Sequence, residues 1–265
     1  MRYFVIILCS LFSLSAVAQS DSLAVAEPVQ TVVLDSKLLW DSGNKDYIDG
    51  NYTSALERYT AIEQQGKYSA RLYYNIGNCY FKLGNVGKSI LYYNRALKAQ
   101  PTMEDARENL RIAEAQTKDK IAVVPEFFLN RWMRSVRTMM SCTVWSVLSI
   151  SLFGLVALFV LLFLLGSRLV VRKSGFYGTI VALLLFIVVT LFAASSRRDM
   201  LDSRGAVVIS SAISVKSSPD KAATDMFVLH EGTKVTLLSE VDGWVELTIA
   251  DGKKGWTEAS HIERI

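Results

Sequence analysis

Any chemistry on this chain must be built from few parts. His230 and His261 are its two histidines, neither is spaced as half of a metal pair, and no Gly-x-Ser-x-Gly or Cys-His arrangement accompanies them. His230, inside "LHEGT", reads as a strand-end residue rather than a general base. "GNVGKS", Gly84 to Ser89, resembles the end of a phosphate-binding loop, whose amides cradle phosphate only at the spacing G-x4-G-K-[ST] between a strand and a helix. Here Lys82 stands where the first glycine belongs. Cys9, Cys79 and Cys142 form neither a metal spacing nor a disulfide framework. A formal charge of +4 is too small to argue for nucleic acid. No catalytic, cofactor-binding or metal-binding set is expected, and the chain is not expected to be an enzyme.

What remains is recognition. Between Glu63 and Glu104 there is no acidic residue, while Lys67, Arg71, Lys82, Lys88, Arg95 and Lys98 fall there. Asn44 and Asn78 stand near them at equivalent points of a repeat. Cations and amide donors together hold carboxylates by charge-assisted hydrogen bonds, so an acidic or C-terminal peptide is one reading. Charges that merely solvate a helix face, with asparagines that serve the fold, are the other.

The repeat supplies the elements that position these groups. Residues 36–69 laid over 70–103 give a period of 34 residues, with Gly43 over Gly77, Asn44 over Asn78, Gly50 over Gly84 and Tyr59 over Tyr93. This is the tetratricopeptide pattern, a pair of antiparallel helices per repeat. Gly77 lets the two helices approach, Gly84 with Asn85 makes the turn, and Pro101 ends the last helix. Residues 104–120 read as a partial third repeat or a solvating cap, so the domain spans 36–120. The concave groove is expected from Lys37, Trp40, Asn44 and Tyr47 in the first copy and Arg71, Tyr74, Asn78, Phe81 and Lys82 in the second.

From Ala206 the period changes to two. Short β-branched runs separated by Ser-Pro-Asp, Glu-Gly and Asp-Gly turns predict a small barrel of about five strands over residues 205–265. "SVKSSPD", "LHEGTKV", "GWVEL" and "DGKKGW" resemble bacterial SH3 domains. Val245, Leu247 and Ile249 share one face by alternation, leaving Trp244 on the other. Trp244, with Phe227 and Trp256, is a candidate ligand face, or else a lid over the core.

Three apolar runs complete the chain. Residues 1–18 have the form of a secretory signal, with Arg2, an apolar stretch, and Ala16-Val17-Ala18 before the expected cleavage. Residues 19–35 read as a linker. Residues 144–165 and 176–194 carry no Asp, Glu, Lys, Arg or His over 22 and 19 positions, enough to span the roughly 30 Å hydrocarbon layer. Basic residues flank both ends of both spans, so their count does not orient them. The signal does: both soluble domains are expected on the periplasmic side of the inner membrane, with a cytoplasmic loop at 166–175. The juxtamembrane segment 121–143, with Phe127, Phe128, Trp132 and three arginines, reads as an interfacial helix or a charged linker.

The order of signal, repeats, "TKDKI", "PEFFLNRWMRS", two spans, and "VKSSPD" with "VLHEGTKV" and "GW" resembles the BatE proteins of the Bacteroides aerotolerance operon. The resemblance implies membrane-bound von Willebrand A-domain proteins as partners and a role in tolerance of oxygen or envelope stress. The fold class expected is thus a multidomain membrane protein: α-helical tetratricopeptide hairpins, two transmembrane helices and a small all-β SH3-like barrel. Its expected work is that of a non-enzymatic adaptor, with a sensor or tether that binds peptidoglycan peptides as the alternative.

Overall fold

A computed structural model describes residues 35–121 and 127–265. The expected signal peptide, and the linker up to residue 34, lie outside the described residues. Among the described residues the chain forms eight α-helices and a seven-stranded antiparallel sheet.

The helical hairpins are α1 (Ser36–Ile48) with α2 (Tyr52–Gln64), and α3 (Ala70–Lys82) with α4 (Val86–Ala99). Short polar side chains start them: Asp35 accepts from the amide of Lys37, Ser69 from that of Leu72, and Asn85 from that of Lys88, each at 3.0–3.1 Å. Gly43 and Gly77 face the rings of Tyr59 and Tyr93, where a Cβ would lie only 2.9 and 2.8 Å from a ring carbon. That is why each hairpin needs glycine on its first helix. α5 (Glu104–Ala115) buries Ala106, Leu110 and Ala113, so one face of it packs on the solenoid.

α6 (Phe128–Thr138) leads into α7 (Cys142–Leu165) and α8 (Leu169–Leu201). The last two are long and apolar enough to cross a membrane. They pair closely because Gly175 meets the Phe163 backbone, where a Cβ would lie 2.6 Å from its nitrogen, and Ser149 bonds Thr190 at 2.8 Å. The turn between them is tighter than the expected 166–175 loop. Leu169 to Ser174 contain no breaker and wind into α8, with the Arg172 guanidinium 5.7 Å over the Phe163 ring.

The sheet runs β3 (Asp225–His230), β2 (Ala212–Lys216), β6 (Lys254–Glu258), β5 (Trp244–Thr248), β4 (Lys234–Val241), β1 (Gly205–Val208) and β7 (Ile262–Arg264). Seven strands replace the expected five because β1 and β7, each short, pair with one another at one edge. Asp242 and Gly243, both at positive φ, make the two-residue hairpin between Val241 and Trp244. Val245, Leu247 and Ile249 are buried together, as alternation predicts.

Candidate functional site

The groove rests on a hydrogen-bond ladder that repeats every 34 residues. Asn44 Oδ1 accepts from the Tyr59 hydroxyl at 2.7 Å and from Asn75 Nδ2 at 3.3 Å. One repeat on, Asn78 Oδ1 accepts from the Tyr93 hydroxyl at 2.8 Å and from Asn109 Nδ2 at 2.9 Å. Each asparagine oxygen is therefore engaged twice, and the half-buried amide has only its Nδ2 donors left to offer. Asn75 and Asn109 were not singled out by the sequence, though the same period, applied from α3 to α5, pairs them.

Five of the nine expected groove residues meet. Tyr47, Tyr74, Asn78, Phe81 and Lys82 line a cavity of about 190 Å³, closed on its far side by Asn109 and Ile112 of α5. No acidic residue is among the described residues lining it. Lys37 and Trp40 line a separate hollow of about 250 Å³ at the start of the solenoid, beside Lys67. Arg71 is exposed and borders neither, and Asn44 belongs to the ladder.

Two of the basic residues that seemed to border the groove serve another surface. Arg95 stacks on Tyr92, its guanidinium carbon 4.9 Å from the ring centroid, and donates to Glu263 at 3.0 Å and to the Arg264 carbonyl at 2.7 Å. Lys98 donates to the backbone oxygens of Asp202 and Ile265 at 2.6 and 3.0 Å. α4 thus presents its outer face to the barrel. Val207 of β1 enters the helical core, completely buried, and Ile121 packs against the barrel core in return.

The phosphate-loop look-alike is explained here. The Gly87 amide donates to Glu231 Oε1 at 2.7 Å, a barrel carboxylate on the first turn of a helix, where the macrodipole favours negative charge. A Cβ at Gly87 would lie 2.5 Å from Glu231 Cγ and 3.0 Å from the Val208 carbonyl oxygen. Glycine is needed for barrel packing rather than for a nucleotide. A second carboxylate, Asp119 of "TKDKI", accepts from the His230 amide, the His230 ring and the Thr233 hydroxyl, each at 2.7 Å. Burial raises the Asp119 carboxyl, and the three donors together outweigh burial and hold it below its usual value. Cys79, completely buried in the helical core, has its thiol pushed up to about 12 by burial and stays protonated.

On the barrel, Trp244 stands opposite Glu258 and Trp256 opposite Glu246, so both rings lie on the outer face of adjacent strands. Phe227 does not join them. It stands opposite the buried Val215 and packs on the barrel core, the other side of the sheet.

The tetratricopeptide repeat family matches residues 70–103, and the bacterial SH3 domain family matches residues 211–263. The chain is 30% identical over 132 residues to the photosystem I assembly protein Ycf3 of Acaryochloris marina, covering 45% of this chain and 80% of that protein. The chain belongs to the tetratricopeptide-repeat family. Repeats of this kind and SH3-like barrels are interaction modules rather than catalysts, which makes protein partners the general reading of this tetratricopeptide-repeat protein. The first copy, residues 36–69, repeats the helix pair and the asparagine-tyrosine bond of the matched second copy.

Proposed function

We propose that this tetratricopeptide-repeat protein is a membrane-anchored adaptor that holds an acidic or carboxylate-terminated peptide in its solenoid groove. One observation carries the reading: the cavity between α1, α3 and α5 offers the oriented Asn78 amide and the Lys82 ammonium, with no carboxylate among its described lining. Tyr47, Tyr74 and Phe81 supply apolar contact for the peptide's side chains, while Lys37 and Trp40 in their separate hollow and the exposed Arg71 offer a second contact toward the start of the solenoid, and Asn44 serves the ladder.

α7 and α8 are its membrane anchor, spanning the inner membrane with the repeats and barrel in the periplasm. The contact of α4 with the barrel supports a shared side, since docked domains cannot lie on opposite faces of a bilayer. The signal-like residues 1–18 favour the periplasmic choice. The named relative is an assembly protein, and assembly of a membrane complex suits a chain with two recognition modules and no catalytic set. The likeness to the BatE proteins points to von Willebrand A-domain membrane proteins as partners and to tolerance of oxygen or envelope stress as the setting.

The test is crosslinked co-purification of membrane proteins with the full chain, with a chain lacking residues 36–120, and with Lys82→Glu in the cavity. Capture is expected from the full chain and lost from both variants. Capture that survives charge reversal removes the peptide reading, and capture that survives deletion removes the adaptor reading.

A second reading rests on Trp244 and Trp256, whose shared outer face suits peptidoglycan peptides in an envelope sensor or tether. Retention of the full chain on purified peptidoglycan, abolished by Trp244→Ala/Trp256→Ala, would favour it.

A further inference from the structure

α6 divides its residues sharply between two sides. At helical spacing, Phe128, Leu129, Trp132, Met133 and Val136 fall within an arc of about 140°, and Asn130, Arg131, Arg134, Ser135, Arg137 and Thr138 occupy the rest. The apolar side is the uncovered one. Phe128 is 71% and Trp132 60% exposed, and Leu129 and Met133 are exposed beside them. Phe127, also exposed, lies 4.7 Å from the Phe128 ring and extends the patch by one residue. So many large apolar side chains left together without cover mark an interaction surface.

The polar side fixes which way the patch points. Arg134, Ser135, Arg137 and Thr138 line a cavity of about 800 Å³ whose opposite walls include Leu97 of α4 and Arg107 of α5. The solenoid therefore lies on the polar side of α6, and the apolar side looks away from it. Bonds to both long helices hold this orientation. Arg137 donates to the Ser195 hydroxyl at 2.7 Å and pairs with Asp199 on α8, and the Trp145 indole of α7 donates to the Arg137 carbonyl at 3.0 Å. Ser195 directly follows the charge-free run of α8, so α6 is fastened at the level where the spans leave the hydrocarbon. Met139, at the cavity rim, and Met140 are both exposed and carry the apolar surface on toward the exposed Val144 and Val147 of α7. The 11 residues of α6 rise about 16 Å, roughly half the hydrocarbon thickness, so this helix is too short to be a span itself.

We infer that α6 lies in the interfacial layer of the bilayer that α7 and α8 cross, with Phe127, Phe128, Leu129, Trp132 and Met133 sunk among the glycerol and upper acyl carbons and the arginines on the side of the solenoid. The solenoid is thereby held down on the membrane surface instead of riding on a free stalk. Continuity with the span surface selects lipid as the cover, since a protein partner would have to occupy the same headgroup layer to reach this face. The contact is apolar and needs no anionic lipid. The inference rests on the reading of α7 and α8 as spans.

The test places one nitroxide spin label at a time in the full chain, in a Cys9→Ser/Cys79→Ala/Cys142→Ser background reconstituted into phosphatidylcholine vesicles. Relaxation of the label is measured with oxygen, which concentrates in lipid, and with a water-soluble nickel chelate. At Phe128→Cys and Trp132→Cys oxygen is expected to dominate, with the same sign of the log ratio as at Leu158→Cys and Leu184→Cys inside the spans. At Asn130→Cys and Thr138→Cys the sign is expected to reverse. Leu129→Cys and Met133→Cys repeat the measurement with both rings in place, and thermal melting identifies any variant that fails to fold. Nickel access on the apolar side equal to that on the polar side overturns the inference and makes the segment a solvated linker. Shielding of the apolar side from both reagents overturns it in favour of a protein cover, a partner or a second copy. The span positions separate the two levels: if they too are open to nickel, the span reading falls and this inference with it, whereas lipid at the spans with water at α6 removes this inference alone.

Discussion

The carboxylate of Glu231 accepts the backbone amide of Gly87 at 2.7 Å, joining the turn between β3 and β4 to the first turn of α4. The barrel packs against α4, the second helix of the second repeat. Val207 buried in the helical core and Ile121 against the barrel core make the joint reciprocal.

Gly87→Ala tests that joint. Alanine in an exposed helix is favoured over glycine by about 1 kcal/mol. Here its Cβ would lie 3.0 Å from the Val208 carbonyl, a backbone atom that cannot rotate away. A net loss on the order of 1–3 kcal/mol is expected in thermal melts of the full chain. A gain in stability would mean that the barrel does not rest there.

Asp119 makes the joint sensitive to acid. Its carboxyl is held below its usual value, so its contribution is complete above the unfolded value of about 3.9 and is lost as pH falls through the lower folded value. Proteolytic protection of residues 117–121 is expected to be constant from neutral pH down to about 4 and to fall below it. Asp119→Asn is expected to cost on the order of 1–3 kcal/mol at neutral pH and to flatten the acid limb. An acid limb of unchanged shape in the variant would assign the effect elsewhere.

The outer tryptophans and the inner phenylalanine of the barrel should separate. Phe227→Ala removes packing from the core and is expected to cost about 2–4 kcal/mol. Trp244→Ala, opposite Glu258 on the outer face, is expected to cost below about 1.5 kcal/mol. Far-ultraviolet melts of the two variants read the order directly, and a larger loss for Trp244→Ala would make that ring a lid.

The ladder beneath the groove is the most local of these features. Tyr93→Phe removes one of two donors to Asn78 and keeps the ring over Gly77, so a loss of about 1 kcal/mol is expected. Tyr93→Ala also empties a buried ring and is expected to cost about 3–5 kcal/mol. Equal losses would show that the hydroxyl carries the whole effect and the packing none.

Much of this was legible along the chain, because periodicity reports on local structure. Gly43 over Gly77 and Tyr59 over Tyr93 announced the hairpins, and the alternation of Val245, Leu247 and Ile249 announced the inner face of the barrel. Contacts between residues far apart leave no periodic trace. Nothing in "TKDKI" says that Asp119 will meet His230, and nothing in "GNVGKS" says that Gly87 awaits Glu231. Phe227 was grouped with two tryptophans because aromatic type says nothing about the side of a sheet, which register sets. Arg95 and Lys98 looked like groove charges for a related reason: they lie on the second helix of the repeat, whose outer face turned out to be covered.

The central claim, a groove that takes carboxylate-bearing peptides, is tested most directly by calorimetric titration of the full chain with an acidic peptide library ending in free carboxylates and with the same library ending in carboxamides. Binding about tenfold weaker is expected for the carboxamides, a difference abolished by Lys82→Glu. Equal affinities for the two libraries, unchanged by Lys82→Glu, would contradict it.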